Sequence, residues 1–211
     1  MIRVLLVDDH EVVRTGFRLL LQSLAHVSVA GEANSGESAC RLYLELEPDV
    51  TVMDIAMPGM GGLEALKRIR AHHPGARVLA LSAHDDVMHA RRALREGALG
   101  FLSKRSAPEA LLEAVTTVAA GRRYLDMSLA QKLALEDLEG TGRSPIERLS
   151  EREFEVFMRL ARGDTVARIA EDLKLSASTV GTHLYNIKQK LEVSNQSELT
   201  LLAIRHGLLE A

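Results

Sequence analysis

Five polar side chains stand where an apolar run stops. Asp8 and Asp9 follow Arg3–Val7, Asp54 follows Val50–Met53, Ser82 follows Arg77–Leu81, and Lys104 stands just past Leu99–Leu102. Their types suit phosphoryl transfer. Three carboxylates cannot stay ionised at close range unless something neutralises them. A divalent cation does this, and Mg²⁺ takes oxygen ligands while keeping several waters, so one or two carboxylates are enough. The metal and the Lys104 ammonium can then draw a phosphoryl group onto Asp54, a reaction that needs positioning and charge neutralisation more than covalent help. The Ser82 hydroxyl can hydrogen-bond the arriving phosphoryl group and pull its loop inward, which is the two-state element of a switch. Taken singly, each residue has a plainer reading. Asp8-Asp9 would cap a helix starting near His10, and Lys104 would be solvated. Their recurrence at strand ends carries the chemistry.

That recurrence depends on the elements. Arg3–Val7, His26–Ala33, Asp49–Met53, Arg77–Leu81 and Leu99–Leu102 read as short strands. Helical spacing lies between them: Val13, Phe17, Leu20, Leu21 and Leu24; then Ala39, Leu42 and Leu46 behind a Ser35 cap; then Leu63, Leu66 and Ile69 after Gly61-Gly62. A weakly amphipathic helix is expected over Asp85–Glu96, and a last one from near Pro108 to Gly121. Five strands alternating with five helices make a doubly wound, five-stranded parallel α/β sheet of flavodoxin-like type. All its strand ends share one edge, where ligands of such sheets bind.

The 211 residues are 46% hydrophobic and 26% charged, the composition of a globular protein of one large or two small domains. No apolar run has the length of a membrane span, and the N-terminal stretch is too short in apolar residues for a signal peptide. Cys40 is the single cysteine, so no internal disulfide forms, and a cytoplasmic location is expected. The net charge of −3 argues against general affinity for nucleic acid and leaves that question to local charge.

Val7-Asp8-Asp9-His10, Met53-Asp54 through Gly61-Gly62, Ser82-Ala83 and Gly100-Phe101-Leu102-Ser103-Lys104 resemble the motifs of the receiver domain of two-component response regulators, over residues 1–121. The resemblance implies that a sensor histidine kinase phosphorylates Asp54. It also implies that Asp9 and Asp54 ligate Mg²⁺, with Asp8 helping through water and Ala56 through its backbone carbonyl. Ser82 and Lys104 would bind the phosphoryl group, and Phe101 would be the aromatic that swings inward on activation. Ala56 and His84 depart from the polar side chain and the residue that many receivers carry beside the hydrolytic water.

Residues 122–148 read as a connector helix (Ser128–Leu138) and a hinge of loop composition (Glu139–Pro145). From 149 onward four short helices are expected: one opened by a Ser150/Glu153 capping box with Phe154, Phe157, Met158 and Ala161 inside; Val166–Leu173; Ser176 to about Glu192; and Ser197–His206. In the third, Val180, Leu184, Ile187 and Leu191 share one stripe, so Thr182, Tyr185 and Gln189 face outward and can reach base edges in a major groove. Lys188, Lys190 and His183 make this helix locally basic, whereas the acids gather in the first helix. A small all-α module that binds protein instead would fit the same pattern.

Leu149-Ser150-Glu151-Arg152-Glu153, Ala161-Arg162-Gly163, Thr179-Val180, His183 and Asn186-Ile187 through Lys190-Leu191 are similar to the LuxR-type helix-turn-helix domain, and the whole chain resembles the NarL/FixJ family. Its ending, Leu201 to Gly207, is similar to the GacA/UvrY branch of that family. The DNA-facing set so implied is Ser178, Thr179, Thr182, Tyr185, Asn186, Lys188, Gln189 and Lys190. Gly181 and Asn195-Gln196 stand where many relatives carry basic residues, which implies few phosphate contacts. The partners implied are the kinase, double-stranded promoter DNA, RNA polymerase and, once phosphorylated, a second copy of the chain, for which the last helix, at Leu199 and Leu202, is one candidate contact among others. No catalysis on an external substrate is expected. An Asp-nucleophile phosphatase of haloacid-dehalogenase type would need Asp-x-Asp on the first strand, not the adjacent pair found here.

Overall fold

β1 (Ile2–Val7), β3 (Val50–Asp54) and β4 (Val78–Ser82) are built mainly of Val, Leu, Ile, Ala and Met. β3 and β4 are buried along their whole length. Strands of this kind need cover on both faces. The computed structural model describes residues 1–83, 87–138, 145–206 and 208–209, in two compact units, Met1–Glu136 and Asp137–Ala211.

In the first unit β2 (Val27–Ala33) and β5 (Gly100–Ser103) complete the five expected strands. The sheet is parallel throughout, in the order β2-β1-β3-β4-β5, and a sixth strand, β6 (Tyr124–Leu125), pairs with β5. The five-stranded expectation is corrected here. Two residues are too short to show any period, and β6 is specified by its partner: the Tyr124 N–H donates to the Leu99 carbonyl at 3.1 Å. Alternation divides the core. Leu5, Val7, Met53, Ala80 and Phe101 pack with α2 (Gly36–Leu46), α3 (Gly62–His72) and α4 (Val87–Arg95). Val4, Leu6, Val52, Leu79 and Leu81 pack with α1 (Glu11–Gln22) and α5 (Pro108–Ala119). Each fully buried Leu or Val contributes about 1.5–3 kcal/mol relative to exposure.

α4 buries Val87, Ala90 and Ala93. Arg91, Arg92 and Arg95 lie off that face, so the helix is strongly amphipathic and the weak amphipathicity expected of it is corrected. Asp85 and Asp86, expected at its start, lie outside the described residues, as do His84 and the hinge residues 139–144. α6 (Met127–Leu138) is capped by Asp126, whose Oδ1 accepts the Leu129 N–H at 3.0 Å. Its Leu129 is buried in the same cluster as Phe101, with Leu125 and Leu133 packed against it. The first unit therefore continues well past residue 121.

Among its described residues the second unit holds a short 3-10 turn (Pro145–Arg148) and four helices: α7 (Glu151–Ala161), α8 (Val166–Asp172), α9 (Ala177–Leu191) and α10 (Gln196–Arg205). Ser150 and Glu153 form the expected capping box, at 3.3 Å for Glu153 N–H to Ser150 Oγ and 2.7 Å for Ser150 N–H to Glu153 Oε2. Ser176 Oγ accepts the Thr179 N–H and caps α9. Phe154, Phe157, Val180, Ile187 and Leu199 are buried. Leu199 is fully enclosed, so it cannot serve as the dimer contact expected of it. The large apolar side chain that α10 exposes is Leu201, at 54%.

One close approach ties this fold to the site. A Cβ on Gly62 would fall 1.9 Å from the Asp54 carbonyl oxygen. Gly62→Ala should therefore push α3 away from the end of β3, destabilising the first unit by about 1–3 kcal/mol. Hydrogen exchange of β3 and β4 amides in the full chain should be faster. Gly75→Ala, whose Cβ meets nothing within 4 Å, is the control. Unchanged protection in Gly62→Ala would contradict the close approach.

Candidate functional site

Register brings the polar strand ends together. Val7 lies opposite Met53, Asp54 opposite Leu81 and Ser82 opposite Ser103. Asp8, Asp54, Ser82 and Lys104 thus share the carboxyl edge of the sheet. Asp54 is 2% exposed. Its Oδ1 accepts the Ala56 N–H at 3.0 Å and its Oδ2 accepts Lys104 Nζ at 2.6 Å. Asp8 is wholly buried. Its Oδ1 accepts the His10 N–H at 2.8 Å, and its Oδ2 stands 2.6 Å from the same Lys104 Nζ as an ion pair. Lys104 is anchored by its own backbone, whose N–H donates to the Ser82 carbonyl at 2.7 Å. Ser82 is buried beside it, and Phe101 is fully inward on β5.

Asp9 differs. Its Oδ1 is buried and has no hydrogen-bond partner, although the His10 ring nitrogen Nδ1 lies 3.0 Å away. Neither aspartate caps α1, because the N-cap position is His10, which makes no side-chain capping bond. The plain capping reading of Asp8-Asp9 therefore fails. Ligand atoms of Asp8, Asp9, His10 and Asp54 all lie within 4.8 Å of one another, a cluster that could hold a metal ion. His10 is the member that pattern reading places only at a helix start. Its adjacency to the aspartate pair was the available signal.

The electrostatics follow from burial. Burial pushes the Asp54 carboxyl above its ordinary value, and Lys104 opposes this without cancelling it. Burial alone would lower Lys104, but the charge and hydrogen bonds of Asp54 and Asp8 outweigh it and hold the ammonium above its usual range. Three carboxylates facing one ammonium leave excess negative charge. The orphaned Asp9 oxygen and the oxygen-rich donor set fit a hard divalent cation.

In the second unit the α9 stripe is as expected. Val180, Ile187 and Leu191 are buried, Leu184 is half-buried, and Thr182, Tyr185 and Gln189 are exposed. Tyr185 is 63% exposed. The remaining candidates are more constrained. Ser178 and Thr179 join hydroxyls with Ser176 at 2.8 Å, and Thr182 Oγ1 donates to the Ser178 carbonyl. Asn186 is half-buried. Lys188 Nζ donates to the Ser194 carbonyl at 2.7 Å, and Lys190 Nζ to Glu153 Oε2 at 2.6 Å. Both lysines thus have a partner inside the unit, which sequence spacing could not show. Asn195 caps α10, and Gln196 bonds the Leu160 carbonyl. A Cβ on Gly181 meets nothing within 4 Å, so packing does not require this glycine.

Glu153 generates a measurable expectation. Burial acts to raise its pKa, but the hydrogen bonds from Lys190 and Ser150 prevail and hold the carboxyl below the usual range. Its contribution to stability is therefore complete above the ordinary Glu value of about 4.3 and is lost as pH falls through the lower folded-state value. Glu153→Gln should cost the second unit about 1–3 kcal/mol at neutral pH. The gap in thermal midpoint from wild type should close as the solution is acidified. A gap independent of pH would contradict the assignment.

Comparison with known proteins agrees with this geometry. Residues 4–116 match the response regulator receiver domain, and residues 147–203 match the luxR family of bacterial regulatory proteins. The chain is 40% identical to the response regulator GacA of Pseudomonas viridiflava over 212 residues, covering all of this chain and 99% of that protein. It is also 40% identical to the response regulator UvrY of Escherichia coli K12, covering all of this chain and 97% of that protein. The structure of RcsB from Salmonella enterica serovar Typhimurium, bound to promoter P1flhDC in the presence of the phosphomimetic BeF3-, superposes with a TM-score of 0.65 at 27% identity, over 95% of this chain and 97% of that one. The chain belongs to the two-component response regulators, with a receiver domain followed by a LuxR-type DNA-binding domain.

Proposed function

We propose that Asp54 accepts a phosphoryl group from a sensor histidine kinase and that this controls sequence-specific binding of promoter DNA by the second unit. The observation that carries this reading is the shared cation: one ammonium, Lys104, 13% exposed and placed 2.6 Å from both Asp54 and Asp8, beside a buried Asp9 oxygen with no hydrogen-bond partner. An Asp54 oxygen attacks phosphorus, its bond to phosphorus forms, and the bond to the donor breaks. Asp8, Asp9 and Asp54, with the Ala56 carbonyl, would hold Mg²⁺, which neutralises the phosphoryl oxygens when bound. Lys104 follows the charge from the carboxylate onto the phosphoryl group. Ser82 then bonds a phosphoryl oxygen, and the β4 end moves with it, which the neighbouring Phe101 registers. Ala56 brings an exposed methyl group beside Asp54, so it offers a hydrolytic water no hydrogen bond and favours a long-lived phosphoryl group.

On the DNA side, Tyr185, Gln189 and Thr182 face the bases, and Ser178, Thr179 and Asn186 stand beside them. Lys188 and Lys190 would hold α9 in place rather than meet phosphates. The absence of a packing role for Gly181 favours a close approach of backbone to DNA there. The protein would act in the cytoplasm as a phosphorylation-dependent homodimer, with RNA polymerase as a further partner and no chemistry on external substrates. No helix among the described residues is long and apolar enough to cross a membrane.

Incubation of the full chain with Mg²⁺ and acetyl phosphate should add one phosphoryl group, mapped to Asp54 by mass spectrometry. Asp54→Asn should take none, and Lys104→Ala should react about 10²-fold more slowly. Modification persisting in Asp54→Asn would overturn the assignment. For DNA, each phosphate contact adds about 0.9 to the slope of log affinity against log salt. Lys188→Ala and Lys190→Ala should leave that slope unchanged, and a drop of about one unit in either would return that lysine to the phosphates.

A further inference from the structure

Adjacent residues of an extended strand point their side chains to opposite faces. Asp8 and Asp9 both belong to the cluster, so something must set the orientation of their shared peptide. The preceding peptide is tied to the sheet, its Asp8 N–H donating to the Ala33 carbonyl of β2 at 3.1 Å. The Asp8 carbonyl accepts Arg14 Nη1, from α1, at 2.7 Å. Arg14 Nε in turn donates to Glu32 Oε2 of β2 at 3.0 Å, and Arg18 Nε stands 3.1 Å from the other oxygen of Glu32. Arg14 is 16% exposed, against 34% for Glu32 and 38% for Arg18. Helical side chains lean toward the N-terminus of their helix, and this lets Arg14 reach back over the acidic loop.

We propose that Arg14 is a positioning residue for the cation site. Aimed by Glu32, its guanidinium fixes the Asp8–Asp9 peptide so that both carboxylates meet Asp54. The inference rests on the reading of this cluster as a Mg²⁺ site. Arg14 pairs with none of the carboxylates of Asp8, Asp9 and Asp54. A guanidinium presents diverging donors in a fixed plane, so one side chain serves the carbonyl and the carboxylate together, which an ammonium on a flexible stem does not do. Groups that orient ligands from outside typically change metal affinity 10- to 100-fold when removed.

The sign of the effect separates positioning from charge. Removing a nearby cation should tighten Mg²⁺ binding if charge alone mattered, whereas loss of the clasp weakens it. The experiment is calorimetric titration of the full, unphosphorylated chain with MgCl₂. Arg14→Ala should weaken binding about 10- to 100-fold, and Glu32→Ala should weaken it in the same direction. The double variant should be no weaker than Arg14→Ala alone, because the two residues act as one unit. Arg14→Lys, which preserves the charge, should fall between wild type and Arg14→Ala. Arg18→Ala, which touches Glu32 but no part of the loop, should match wild type. Thermal unfolding without Mg²⁺ reports folding separately. Unchanged or tighter binding in a folded Arg14→Ala would overturn the proposal, as would equal weakening in Arg18→Ala. If Arg14→Ala does not fold, wild-type affinity in Glu32→Ala and Arg14→Lys would overturn it instead. Asp9→Asn tests the underlying reading: wild-type Mg²⁺ affinity in that variant would remove the cation site itself.

Discussion

Lys104 sits between two buried carboxylates, and the arrangement of the first unit is the means of keeping it there. A buried carboxylate next to another is costly unless a cation stands within hydrogen-bond reach. Lys104 is brought to that point by β5, whose register with β4 is closed by the bond from its own N–H to the Ser82 carbonyl. Asp54 is delivered by β3 and Asp8 by β1, and the parallel order of the strands makes their ends coincide. The balance remains incomplete, because Asp9 adds a third carboxylate whose buried oxygen has no hydrogen-bond partner. A site so constituted is poised for added positive charge and then for a group that carries negative charge of its own. That is the sequence of events a phosphorylation switch needs.

The second unit solves a different problem with similar means. α9 exposes Thr182, Tyr185 and Gln189, and its buried stripe fixes only its rotation. Lys190 to Glu153 and Lys188 to Ser194 secure its C-terminal half. Because Glu153 also closes the cap of α7, one carboxylate joins the start of α7 to the far end of α9. A helix held this way pays little conformational entropy on binding DNA.

Much of this was legible in the residues. Apolar β-branched runs ending in a polar group located the strand ends, and the parallel class followed from their alternation with helices. The Ser150/Glu153 box and the α9 stripe rest on local spacing and were readable for that reason. The features that were not readable depend on distant partners. β6 is two residues long and owes its existence to β5. Leu129 continues the core because α6 returns to it. Lys190 meets Glu153 across 37 positions and Arg14 meets Glu32 across 18, distances over which spacing carries no signal. Leu199 has the periodicity of a surface contact and of a core residue alike, and only the packing of α10 against α7 decides for the core.

The central claim is that charge at Asp54 governs DNA binding. The direct measurement is selection of genomic fragments by the purified full chain, with and without beryllium fluoride and Mg²⁺ as a phosphoryl mimic, followed by sequencing. The account predicts strong enrichment of paired sites with the mimic, little without it, and loss of the difference in Asp54→Asn. Equal enrichment in both states, or none in either, would contradict it.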